Sequence, residues 1–103
     1  MRSAEICMHG LPAGTLEEVV PGKNYRFIYF ESYKGTPVSL TMPVKEKVFA
    51  FDRFPPFFDG LLPEGVLLEG LLKQCKIDTY DYFSQLLAVG NELVGAVTVE
   101  EIT

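Results

Sequence analysis

Basic residues run out early in this chain: after Lys76 there is no Lys or Arg, while Asp78, Asp81, Glu92, Glu100 and Glu101 follow. Nine Lys and Arg stand against fourteen Asp and Glu, a formal net charge of −5 at pH 7. That sign repels a phosphate backbone, which argues against direct nucleic-acid binding and favours a basic protein partner. Metal ligands are also scarce. His9 is the single histidine and Cys7 and Cys75 are the only cysteines, so no His/Cys cluster or bound cofactor is expected. The two cysteines are expected as small apolar core residues, one on a strand and one on a buried helix face, in a reducing compartment. No apolar run approaches the roughly 20 residues of a membrane span, and Met1 to Glu5 opens with no apolar stretch behind it. A cytoplasmic protein without a membrane partner is expected.

What is present suffices for one core. A chain of 103 residues that is 48% hydrophobic can bury a single domain, 1–103, and leaves no room for a second. The first half has the pattern of short strands. Ala4, Ile6 and Met8 alternate with Glu5, Cys7 and His9, and the turn residues Gly10 to Gly14 lead into Leu16 to Val20. After Pro21 to Asn24, Tyr25 to Phe30 is aromatic and β-branched, as a strand requires. Pro37 and Pro43 bracket an edge strand or extended loop, and Val48 to Phe51 is a further short strand. The period then changes. Leu67, Leu68, Leu71, Leu72 and Cys75 fall within one arc of a helix, opposite Glu69, Lys73 and Gln74. Asp78 or Thr79 offers a cap for a second helix carrying Tyr80, Tyr82, Phe83, Leu86 and Leu87, with Asp81, Ser84 and Gln85 opposite and Gly90 at its end. Val94 to Val99 closes the chain as a strand. The expected fold class is α+β, a small twisted antiparallel sheet of about five strands with two packed helices.

Catalytic chemistry is missing. His9 lies on an expected strand with no nucleophile placed beside it, and a structural role is favoured. Gly90 to Gly95 has the outer spacing of a P-loop, but Ala96-Val97 stands where Lys and Ser/Thr belong. The pairs Glu17-Glu18 and Glu100-Glu101 fall on strands, where neighbours point to opposite faces. The stretch Phe57-Phe58-Asp59-Gly60-Leu61-Leu62-Pro63-Glu64-Gly65 is more informative. Asp59-Gly60 suits a tight turn with Gly60 free to take positive φ, Pro63 the first position of a helix, and Glu64 the positive helix end. Val66 then falls among Glu69, Gly70, Lys73 and Gln74 on the polar face, one turn from a glycine. A small apolar knob is expected there, approached through Phe57 and Phe58, as a surface for a partner.

The run "FFDGLLPEG", followed about two dozen residues later by "GNELVGAVTV", resembles the N-terminal subdomain of HipA-like serine/threonine kinases. "GTPVSLTMP", with Tyr33 just before it, resembles the "Y…PLS…LP" segment of that subdomain. The resemblance covers nearly the whole chain. It implies a domain that packs on a kinase core, and the catalytic Asp, its following Asn and the metal-binding Asp loop of that core have no counterpart here. A free-standing copy resembles HipS, the small member of the tripartite HipB-HipS-HipT toxin–antitoxin systems. This implies a non-enzymatic antitoxin that docks on a HipA-like kinase, HipT, and blocks it, with HipB as a DNA-binding third member. Carried over by the resemblance, the contact region is Phe57 to Gly65; the helical wheel extends it to Val66, with Glu69 and Lys73 beside it. Gly60 stands where many relatives have Asn, and Glu92 where Asp is common. The alternative is a structural N-terminal piece that completes a split kinase.

Overall fold

The computed structural model describes residues 1–93 and 95–102. Five antiparallel strands form one sheet in the order β4-β3-β2-β1-β5, with helices on one face. The strands are β1 (Arg2–Met8), β2 (Leu11–Val20), β3 (Asn24–Tyr29), β4 (Val48–Phe51) and β5 (Val97–Glu101); the helices are α1 (Pro56–Asp59), α2 (Gly65–Cys75) and α3 (Tyr82–Val89). The α+β class and the five-stranded antiparallel sheet are as the sequence pattern implies.

Period-two alternation decides which face is inside. Ala4, Ile6, Leu16, Tyr25, Phe27 and Tyr29 are buried on the helix-covered face, while Glu5, Thr15, Glu17, Arg26 and Ile28 are half-exposed on the other. Phe58 of α1 and Phe83 and Leu86 of α3 complete the core. The β1–β2 connection is tighter than the expected turn at Gly10 to Gly14. His9 (φ 52°) and Gly10 (φ 79°) make it, both left-handed, as a two-residue hairpin of matching twist requires. His9 is thus an exposed turn residue and not a strand residue.

An ionic latch ties the first strand to the last helix. Arg2 Nε donates to Glu18 Oε1 at 2.8 Å, its Nη2 to Asp81 Oδ1 at 2.8 Å and its Nη1 to Ser84 Oγ at 2.7 Å. Its guanidinium also lies 4.9 Å from the Phe83 ring centre. Glu18 is 3% exposed and also accepts from the Tyr25 hydroxyl at 3.2 Å. Burial pushes the Tyr25 phenol up to about 12, with the Glu18 carboxylate adding to the effect.

Several local expectations are corrected. The α3 cap is Asp81, accepting from Ser84 N–H, and Asp78 instead accepts from Tyr80 N–H just outside the helix. Gln85 is buried rather than solvent-facing, and its amide donates to the carbonyls of Asp78 and Thr79. Cys75 is exposed and Cys7 half-buried, because neither lies under a covering element. Where an edge strand or extended loop is expected between Pro37 and Pro43, the segment is a loop that turns at Leu40-Thr41 with one isolated bridge, Ser39 to Met42, and buries Val38 and Met42. Tyr29 holds it, donating to Met42 O at 2.6 Å and accepting from Val38 N–H at 2.9 Å. The last strand begins at Val97 rather than Val94, and Val94 lies outside the described residues.

Candidate functional site

Two prolines start the candidate segment. Pro55 is held extended (φ −58°, ψ 130°) because a residue before proline avoids the helical region, and Pro56 then opens α1 where a missing N–H does no harm. The one-turn α1 was not anticipated, and it changes what the two phenylalanines do. Phe58 is 0% exposed, its ring 6.0 Å from that of Phe27; it is a core anchor with no surface to offer a partner. Phe57 is half-buried, edge-on to Phe58 at 5.2 Å.

Beyond them the chain comes out. Leu61 N–H bonds to Phe58 O and Leu62 N–H to Asp59 O, both at 3.1 Å, so α1 unwinds through a turn. Gly60 has φ −64°, an ordinary helical value, and Asp59 is exposed; the left-handed position expected at Gly60 falls instead at Gly65, φ 59°. A Cβ added at Gly65 meets nothing within 4 Å, so conformation and not space demands the glycine there. Pro63 precedes the helix rather than starting it, and Glu64 is the N-cap residue, without a side-chain cap bond.

The α2 helix that follows contains no buried residue. Leu67, placed by periodicity on the core side, is 75% exposed beside Val66 at 83%; Leu68, Leu71 and Leu72 are half-buried. An open groove of about 770 Å³ runs between α2, the turn before it and the end of α3, lined by Gly60, Leu61, Pro63, Val66, Leu67, Gly70, Leu71, Gln74, Val89, Glu92 and Leu93. A second hollow, about 610 Å³, lies across Val66, Glu69, Gly70, Leu72 and Lys73. Val66 and Gly70 line both, so the pair forms a notched ridge between them. Asp59, Glu64, Glu69 and Glu92 are exposed around the rim with Lys73. Among the described residues no three His, Cys, Asp or Glu side chains cluster for a metal, and no helix is long and apolar enough to cross a membrane. The arrangement is an open, largely apolar surface suited to binding.

The model of the HipA N-terminal domain matches residues 4–100. The chain belongs to that family. The HipA N-terminal domain also supplies a structural match: a solved "N-terminal domain of HipA toxin" superposes with a TM-score of 0.78 at 30% identity, covering 100% of this chain and 94% of that one. A Haemophilus influenzae protein described as uncharacterized is 34% identical over 98% of this chain and 93% of its own length. The "Putative kinase Y4dM" of Sinorhizobium fredii is 31% identical over 92% of this chain, which spans only 25% of that kinase. The HipA-type domain thus matches one relative along nearly its whole length and another along a quarter of it.

Of the expected contact residues, Gly60, Leu61, Pro63 and Val66 line the groove and Val66, Glu69 and Lys73 the adjoining hollow; Asp59, Glu64 and Gly65 are exposed nearby, Leu62 packs on the core, and Phe57 lines a separate cleft beside β4. Leu67, Leu71, Gln74, Val89 and Leu93 were missed. A signal was available for the α2 leucines alone: Val66-Leu67-Leu68 and Leu71-Leu72 hold more apolar side chains than one core-facing arc uses.

Proposed function

We propose that this domain is a protein-binding antitoxin that docks through Asp59 to Val66 and the exposed face of α2 onto a HipA-like serine/threonine kinase and blocks it. The observation that carries this reading is the α2 helix itself. An eleven-residue helix with five leucine or valine side chains and none buried has its natural cover elsewhere. Family membership supplies the class of partner, and the H. influenzae relative, matched over 93% of its length, supports a domain that works apart from a kinase chain. The block is steric: the turn at Gly65 projects Val66 and Leu67 toward the kinase while the acidic rim meets basic groups that serve ATP phosphate or substrate. A HipB-like DNA-binding protein would be the third member of the assembly, and the domain performs no phosphoryl transfer of its own. A second reading rests on the Y4dM match, where the same domain corresponds to a quarter of a kinase: there it would complete the enzyme instead of silencing it.

A phosphorylation assay of a HipA-like kinase that lacks this domain, titrated with the purified protein, separates the two. Loss of activity at a one-to-one ratio is expected. Activity that appears only on addition would establish the second reading, and no effect at all would refute both.

A further inference from the structure

The two edges of the sheet are treated differently. Along β5, Val97, Val99 and Glu101 turn their backbone groups away from β1, because Ala96 and Ile102 bond inward to His9 and Ser3. That outer side is covered: Val99 N–H donates to Gly90 O at 3.0 Å, and a Cβ on Gly90 would run into the Val99 carbonyl. The chain after α3 is pressed against this edge.

At the other edge, Tyr29 N–H bonds to Lys47 O, which fixes the phase of the β3–β4 ladder. Val48 and Ala50 therefore point their N–H and C=O groups outward, and β4 is the terminal strand. Its register with β3 runs through four residue pairs without a bulge, and no proline interrupts it. Of the usual protections for a free edge, the described residues supply shortness and charged flanks, Lys45 to Lys47 and Asp52-Arg53. Beside this edge lies an open cleft of about 930 Å³, lined among others by Met42, Phe49, Phe51, Arg53, Pro55 and Phe57. It shares no lining residue with the groove at α2.

Charge narrows the occupant. The charged residues flanking β4 are Lys45, Lys47 and Arg53 against Glu46 and Asp52, a small positive excess in a chain of net charge −5. A second copy fits poorly. In the two antiparallel self-pairings nearest the strand centre, like charges meet: Glu46 with Asp52 and Lys45 with Arg53 in one, Lys47 with Arg53 in the other. From the outward backbone groups of Val48 and Ala50, the apolar cleft beside them and the local positive charge, we infer that β4 accepts an extended peptide segment of a partner protein, apolar at alternate positions and acidic at its ends, as a sixth strand. Backbone bonds to Val48 and Ala50 hold the segment, Phe49, Phe51 and Phe57 receive its inward side chains, and Lys45, Lys47 and Arg53 select the acidic ends. This site is independent of the kinase contact at α2.

The test uses the whole protein with two acetylated, amidated seven-residue peptides of alternating Val and Thr, one with Asp at both ends and one with Lys. Titration followed by amide NMR is expected to show binding of the Asp peptide, with the Val48 and Ala50 amides slowed in hydrogen exchange, and roughly tenfold weaker binding of the Lys peptide. Ala50→Pro removes one outward N–H on an edge that tolerates proline and is expected to weaken binding about tenfold with an unchanged melting curve. Arg53→Glu, at an exposed position, is expected to reverse the peptide preference even if the proline variant unfolds. No binding, shifts confined to α2, indifference to Arg53→Glu, or a β4-dependent dimer in light scattering would each overturn the proposal.

Discussion

The α2 and α3 helices have similar amphipathic patterns and opposite fates. α3 begins with an aspartate cap, is held by Arg2 through Asp81 and Ser84, and buries Phe83, Gln85 and Leu86; α2 begins at a left-handed glycine without a side-chain cap and buries nothing. Amphipathicity states that a helix wants cover, and the neighbouring elements decide whether the same chain supplies it. α3 lies against the sheet and donates its cap region to the Arg2 latch, so its apolar face is spent on folding. α2 packs against α3 rather than the sheet, and its apolar face stays open, the face on which the proposed docking rests.

The largest effect is expected from the helix interiors. Phe83→Ala should lower stability by about 3–5 kcal/mol and Leu67→Ala by no more than about 0.5 kcal/mol, read from urea unfolding midpoints. Equal losses at the two sites would erase the contrast. In kinase binding the order reverses: Val66→Asp and Leu67→Asp should each weaken the complex by about 2 kcal/mol, roughly thirtyfold, with unfolding midpoints unmoved. Calorimetric titration with the kinase would show it.

The cap difference comes next. Asp81→Ala should cost about 1–2 kcal/mol at neutral pH. Burial works against the Asp81 carboxylate, but hydrogen bonds from Arg2 and Ser84 outweigh it and hold its pKa below the ordinary value of 3.8. A carboxylate depressed on folding stabilises the fold above its unfolded pKa, and that contribution disappears as pH falls from about 4 through the lower folded value. Asp81→Asn should therefore flatten the acid limb of the stability curve. Tyr25 acts at the other end. Its phenol, raised from 10.0 to about 12, contributes stability below pH 10 that is lost as pH rises toward 12; Tyr25→Phe should remove that alkaline limb in a pH series of melting temperatures. The smallest effect belongs to Gly70→Ala, where a Cβ meets nothing within 4 Å. It should stabilise α2 by about 0.5–1 kcal/mol while filling the notch beside Val66.

The sheet was legible because Tyr25, Phe27 and Tyr29, and Ala4 and Ile6, alternate strictly, and alternation reports burial on one face. Helix faces were less so. Periodicity placed Leu67 in the apolar arc correctly but could not show that no element covers that arc. Gln85 looked polar and solvent-facing, yet the carbonyls of Asp78 and Thr79 accept from its amide and give it a reason to be inside. The tight turn expected at Asp59-Gly60 is not there, because Pro55-Pro56 starts a helical turn four residues earlier and leaves Gly60 at a helical φ. Of the candidate site, the surface from Asp59 to Val66 could be found from its resemblance and its wheel position. Leu93 and Val89 on the far wall of the groove could not, since nothing in sequence brings the end of α3 to α2.

Hydrogen exchange of this protein, alone and with a HipA-like kinase lacking the domain, tests most directly that α2 is a binding face and α3 a folding one. Slowed exchange concentrated in residues 59–75, with α3 unchanged, is the expected result. Kinase binding that leaves residues 59–75 unprotected would contradict it.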